Sequence, residues 1–211
     1  MKYAGMPWGM WAMFAGSFQK QLGDALGYDA DTAKDITRKA KAKYREILAG
    51  IPEFEKGDRF KMNIVNCAML CAFVRSMPKR PDVEQLTDYY AKAMMTKPMR
   101  WFCRQSGKVK YTPKDIAGMK ATAAMKAADR NPYSWNMDFY EYPDGSGYEG
   151  RFTKCGICTL MKEQGLDDLT PAMCHLDYTM SEAGGVTNFV RKYTLASGGA
   201  YCDCGYKKKN A

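Results

Sequence analysis

The sequence predicts an α+β fold, in which an N-terminal helical half packs with a C-terminal antiparallel sheet carrying two short helices. Three observations lead there. Apolar residues recur at helical spacing between residues 8 and 130. At Asn131-Pro132 the composition turns aromatic and glycine-rich. Beyond that point short apolar runs alternate with turn sequences, as in an antiparallel sheet.

The helices follow in order. Met10, Phe14, Phe18 and Leu22 fall every four positions and form one apolar face. Asp31 is placed to cap a second helix through Ile36, Ala40, Tyr44 and Ile47, and Gly50-Ile51-Pro52 stops it. Lys61 to Ser76 is apolar nearly all round, the pattern of a central buried helix. Met77-Pro78 ends it, and Pro81-Asp82 opens a fourth through Leu86, Tyr90 and Met94. A fifth follows Thr112-Pro113 and covers Ile116 to Ala128.

Trp135 to Tyr142 then reads as a strand, Asp144-Gly145-Ser146-Gly147 as a hairpin turn and Tyr148 to Thr153 as the partner strand. Two helices are expected, Cys158 to Gln164 and Pro171 to Glu182. The last strands are Val186 to Thr194 and Tyr201 to Tyr206, joined by Ala196-Ser197-Gly198-Gly199. The organisation expected is a helical region, 1–130, and a cysteine-rich α+β region, 131–211, forming one compact unit.

Composition narrows the chemistry. The 211 residues include 8 Cys and 16 Met but a single His, on a formal net charge of +9. One imidazole excludes every site that needs two, so chemistry must come from Cys, Asp, Glu, Tyr, Arg and Asn, with His175 as at most one member. The apolar stretch Met6 to Phe18 has only Lys2 as a basic flank and is too short to span a bilayer. The expectation is a cytoplasmic protein with reduced thiols and no membrane partner. Lys34, Arg38, Lys39, Lys41, Lys43 and Arg45 crowd one helix, and Lys207 to Lys209 form a basic tail. Without a nucleic-acid motif these read as a solvated face and a solubilising tail, leaving an attraction for small anionic substrates. No nucleic-acid partner is expected, and the oligomeric state is left open.

Five cysteines lie in three clusters: Cys155 and Cys158, Cys174, and Cys202 and Cys204. Cys202 and Cys204, two apart on a strand, share a face. One reading is metal, with Cys155, Cys158, Cys174 and Cys202 giving four thiolates to zinc or an iron–sulfur cluster. The other is catalytic, a thiol activated beside a carboxylate and a cation. Asp177 lies one helical turn after Cys174, Asp203 adjoins Cys202, and Arg191 is the natural partner of an acid buried there. A redox pair of Cys155 and Cys158 is the third reading, set back by the lack of a strand leading into a helix at that point. Cys67, Cys71 and Cys103 read as core filling.

The series Phe152-Thr153-Lys154-Cys155, Cys174-x-x-Asp177, Phe189-x-Arg191-x-x-Thr194-Leu195-Ala196-x-Gly198 and Cys202-Asp203 resembles the C-terminal signature of the L-2-amino-thiazoline-4-carboxylic acid hydrolase family. The resemblance covers about residues 131–206. The helical half matches only in general layout, with Asn63 set against a family position. Cys204 stands where the family has Phe, and Cys158 and His175 are additions.

The resemblance implies a hydrolase that opens a small cyclic amidine-like carboxylate by water addition. Asp177 or Asp203 would be the base and Cys155, Cys174 or Cys202 the nucleophile or acid. Arg191 would anchor the substrate carboxylate, and Asn63 would also contact substrate. A vaguer similarity, to vinyl-reductase-type ligand-binding domains, implies instead a module that holds a metal or small ligand through the C-terminal cysteines.

Overall fold

The computed structural model describes residues 8–55 and 57–209. Six helices fill the first half: α1 Trp8–Asp24, α2 Ala30–Gly50, α3 Lys61–Val74, α4 Val83–Met94, α5 Lys97–Val109 and α6 Pro113–Lys126. The second half is β1 Asp138–Glu141, β2 Gly147–Phe152, α7 Gly156–Glu163, α8 Thr170–Gly184, β3 Thr187–Val190 and β4 Cys202–Lys208. The sheet is antiparallel throughout, in the order β1-β2-β4-β3. The α+β class is therefore as the sequence predicts.

Phe14, Phe18 and Leu22 are fully buried on α1, confirming the four-residue spacing. The chain caps α2 two residues earlier than expected. The Asp29 carboxylate, not that of Asp31, accepts the N–H groups of Asp31 and Thr32 at 3.0 and 2.9 Å. Helix α3 is buried on nearly every side, wedged between α2 and α7. Helix α5 falls between the fourth and fifth predicted helices, where the sequence reading assigned no separate element. Its Thr96 cap and Pro98 in the first turn are ordinary start signals. Its large apolar side chains, however, point outward.

The predicted Trp135–Tyr142 strand shrinks to β1. Trp135 and Met137 are buried ahead of the ladder, while Asn136 between them accepts the backbone N–H groups of Thr153 and Lys154 at 2.9 and 2.8 Å. Those bonds take the segment out of strand register. Similarly β3 ends at Val190, so Arg191 and its successors leave the sheet, and Leu195–Ser197 forms a 3-10 turn. Helix α8 packs on α4 and α5 on one side and on β3 on the other. The main core joins both halves, for Leu160, Met161, Ala172 and Met173 lie in one cluster with Phe18, Ile64 and Tyr90.

Among the described residues no helix is long and apolar enough to cross a membrane. Lys34, Arg38, Lys39, Lys41 and Arg45 are exposed along α2, and several pair with Asp31 and Asp35.

Candidate functional site

A cavity of about 620 Å³ opens between the helical half and the inner face of the sheet. Its walls come from α1, α3 and α5 on one side and from β2, α7, α8 and β4 on the other. Cys155, Cys174, Asp177, Arg191, Cys202 and Asn63 all line it. Five separated stretches of sequence thus converge on one space.

Cys155 sits where β2 gives way to α7. Its backbone is extended, at φ −136° and ψ 115°, and it occupies the cap position of α7. Three contacts fix it there. The Asn136 side chain holds the two residues before it. The Lys154 ammonium donates to the carbonyls of Asp129 and Asn131 at 2.9 and 3.0 Å. Gly156 comes so close to the Tyr133 carbonyl that an added Cβ would lie 1.9 Å from its oxygen. Only glycine fits there, so the residue after the thiol is dictated by backbone contact.

The surroundings favour the Cys155 thiolate. The Cys158 thiol, the N–H groups of Cys158 and Ile157 and the Trp135 indole together outweigh burial and hold its pKa at about 7. The proton of the pair stays on Cys158, which is driven far upward by the neighbouring Cys155 thiolate and by burial. The sequence reading denied this Cys-x-x-Cys a strand leading into a helix. The structure supplies one, because α7 begins at Gly156 rather than at Cys158.

Arg191 is the other fixed point. Just past the end of β3, its guanidinium donates to the Asp177 carboxylate, to the Cys174 carbonyl at 2.9 Å and to the Cys204 sulfur at 3.0 Å. It also lies 4.6 Å over the Phe189 ring. Its Nε–H is buried without a partner among the described residues. The Arg191 side chain is 6% exposed and that of Asp177 41%, so one end of the pair reaches solvent.

Burial pushes the Cys174 and Cys204 thiols up to about 12, against the opposing pull of Arg191. Burial also raises Cys202, whose sulfur accepts the Leu195 N–H at 3.2 Å. Of the thiols on the cavity, Cys155 alone is shifted toward the ionised form.

Asp203 does not join the cavity. Its carboxylate accepts the backbone N–H groups of Lys192 and Tyr193, shaping the turn after β3. It lies on the face of β4 opposite to Cys202 and Cys204, as strand alternation requires. Cys158 stands behind Cys155 and is not part of the wall. Among the described residues no group of three or more His, Cys, Asp or Glu side chains is disposed to hold a metal ion. The four-thiolate set of Cys155, Cys158, Cys174 and Cys202 therefore does not assemble, and no step is assigned to zinc or iron–sulfur chemistry. His175 is exposed and packs on Tyr178, while Cys67, Cys71 and Cys103 are buried in the packing.

Two polar contributors were not foreseen. Asn66 lies one turn along α3 from Asn63, and its Oδ1 is buried without a partner beside the cavity. Tyr90 on α4, read from the sequence as core, lines the same space with its hydroxyl unpartnered. The Asn63-x-x-Asn66 spacing, which puts both side chains on one side of α3, was the available signal.

No curated protein and no solved structure matches the chain. The family model for L-2-amino-thiazoline-4-carboxylic acid hydrolase matches residues 62–206. That span starts inside α3, so it reaches the cavity wall carrying Asn63 and Asn66 as well as the cysteine-rich half. With the match running from one wall of the cavity to the other, the chain belongs to the L-2-amino-thiazoline-4-carboxylic acid hydrolase family.

Proposed function

We propose that the chain is a hydrolase that opens a cyclic amidine-like carboxylate, with Cys155 as nucleophile. The observation that carries this reading is the Cys155 thiol at the start of α7, ionised near neutral pH, on the same cavity as the Arg191–Asp177 pair.

In the ring opening, the Cys155 thiolate adds to the amidine carbon, and the ring carbon–sulfur bond then breaks. Water attacks the resulting carbon, Asp177 takes its proton, and the Cys155 sulfur leaves as thiolate. One water is consumed. Its oxygen becomes the ureido carbonyl, one hydrogen ends on the freed sulfur and the other on the former ring nitrogen. Arg191 presents its unpartnered Nε–H to the substrate carboxylate, while Asp177 and the Cys174 carbonyl hold the guanidinium in place. On the opposite wall, Asn63 and the Asn66 Oδ1 are the groups assigned to the amidine nitrogens. Asp203, committed to the turn after β3, has no part in the step.

The test uses L-2-amino-thiazoline-4-carboxylate and reads the thiol freed by ring opening. The intact chain turns it over, and Cys155→Ser lowers kcat by about a thousandfold or more while the circular dichroism spectrum is unchanged. Turnover that survives the substitution removes Cys155 from the mechanism. Absence of turnover in the intact chain rejects this ring as substrate.

A further inference from the structure

We propose that the substrate of this site is amphiphilic, with the polar head at Cys155 and Arg191 and an apolar tail that fills the rest of the cavity. The inference rests on the hydrolase reading for the head and on independent features for the tail.

The first is size. At about 30 Å³ per water, 620 Å³ is room for roughly twenty waters. A five-membered ring with one amino group and one carboxylate fills only a corner of that. Spaces of about 300–1,000 Å³ are those that enclose drug-sized ligands.

The second is the lining. Six of the 16 methionines, Met10, Met13, Met62, Met99, Met173 and Met180, border the cavity, with phenylalanine and tryptophan rings between them. Thioether chains are unbranched and adapt to the shape of an apolar guest. A water-filled space with such walls would leave much apolar surface wet, and a tail removes it from water.

A few polar atoms of the wall remain open to a guest. Asn66 Oδ1, the Tyr90 hydroxyl and Arg191 Nε are buried on residues of the wall and have no partner among the described residues. Buried polar atoms are normally satisfied. These three call for a head that both donates and accepts, as an amidine or amide next to a carboxylate does.

Met13, Met62, Trp101 and Phe102 also border the cavity and are strongly exposed, Trp101 at 64%. An apolar rim of this kind is unfavourable in water unless something apolar passes through it.

The test is calorimetric titration of the full chain with N-acetyl-, N-hexanoyl- and N-decanoylglycine, each below its micelle-forming concentration. These carry an amide and a carboxylate on tails of increasing length and need no turnover. Kd is expected to fall about tenfold for every two methylenes added until the cavity is full.

Met62→Trp, at an exposed position on the rim, should weaken N-decanoylglycine at least tenfold and leave N-acetylglycine within about twofold. Trp101→Ala, on a different helix, should weaken the decanoyl ligand severalfold and gives a second reading if the first variant folds poorly. Cys155→Ser should keep the same dependence on tail length. A Kd independent of tail length, or Met62→Trp binding the decanoyl ligand like the intact chain, overturns the proposal. Ring hydrolysis with no tail dependence rejects the tail and leaves the hydrolase standing, whereas tail dependence without hydrolysis does the reverse.

Discussion

Cys155 shows how far the surroundings of a thiol, and not the thiol itself, set its ionisation. The same thiol as Cys174 or Cys204 is pushed up to about 12 by burial, yet at Cys155 the donors around the sulfur bring it to about 7. Iodoacetamide should therefore label Cys155 first. Its rate should be half-maximal near pH 7, with the adduct located by peptide mass spectrometry. Labelling that is half-maximal near pH 9, or that starts at Cys174, would contradict the assigned environment. The sign for stability follows. A thiol whose folded pKa is depressed stabilises the fold above its ordinary pKa, and the contribution is lost as pH falls through about 7. Spacing and order in the sequence were enough to gather Cys155, Cys174, Asp177, Arg191 and Cys202. The roles were not legible, because they depend on Asn136, Trp135 and the Tyr133 carbonyl, which reach the thiol through the fold rather than along the chain. Asp203 lies outside the cavity for the converse reason, since its neighbour Cys202 faces the cavity and strand alternation turns Asp203 away.

At the scale of elements, α6 illustrates a second limit. Its start at Thr112-Pro113 is readable, but nothing in a run rich in alanine and methionine marks a buried charge. Yet Lys126, at its last turn, is 1% exposed, with its ammonium bonded to Asp58, to Asp129 at 2.6 Å and to Ser134 at 2.6 Å. Its partners come from the loop before α3 and from the segment leading to β1, so the ion pair ties both to α6. Desolvation would raise Asp129, but the hydrogen bonds from Lys126 and Ser134 prevail and lower it. Lys126→Met should cost about 3–5 kcal/mol in urea unfolding, because it leaves the Asp58 carboxylate, 3% exposed, buried without its cation. Adding Asp58→Asn to that variant should restore part of the loss. A single-variant cost under about 1 kcal/mol would mean that water reaches Asp58 in the native state. Helix α5 escaped notice for a related reason. Only Cys103 and Gly107 are buried on it, while Met99, Trp101 and Phe102 line the cavity, so its apolar side serves the cavity and not the core. Those outward rings belong to the cavity rim.

At the scale of the molecule, the change in composition at Asn131-Pro132 marks where the sheet begins but not where the core divides. Helices α7 and α8 come after the boundary, yet Leu160, Met161 and Met173 pack with Phe18, Phe73 and Tyr90 before it. The cavity has the same character, with walls drawn from both halves. Two consequences can be measured together by scanning calorimetry. The first is one cooperative unfolding transition, since neither half retains a closed core without the other. Two well-separated transitions would mean that residues 1–130 and 131–211 are independent units. The second concerns N-decanoylglycine at about a hundred times its Kd. A ligand bound only to the native state adds about 2.7 kcal/mol there. For a chain of this length each kcal/mol raises Tm by about 2–4 °C, so the single transition should move up by about 5–10 °C as one. A ligand held by the sheet alone would instead broaden or split the transition, because only that half would be stabilised. A rigid upward shift is therefore the signature of a site built across the two halves.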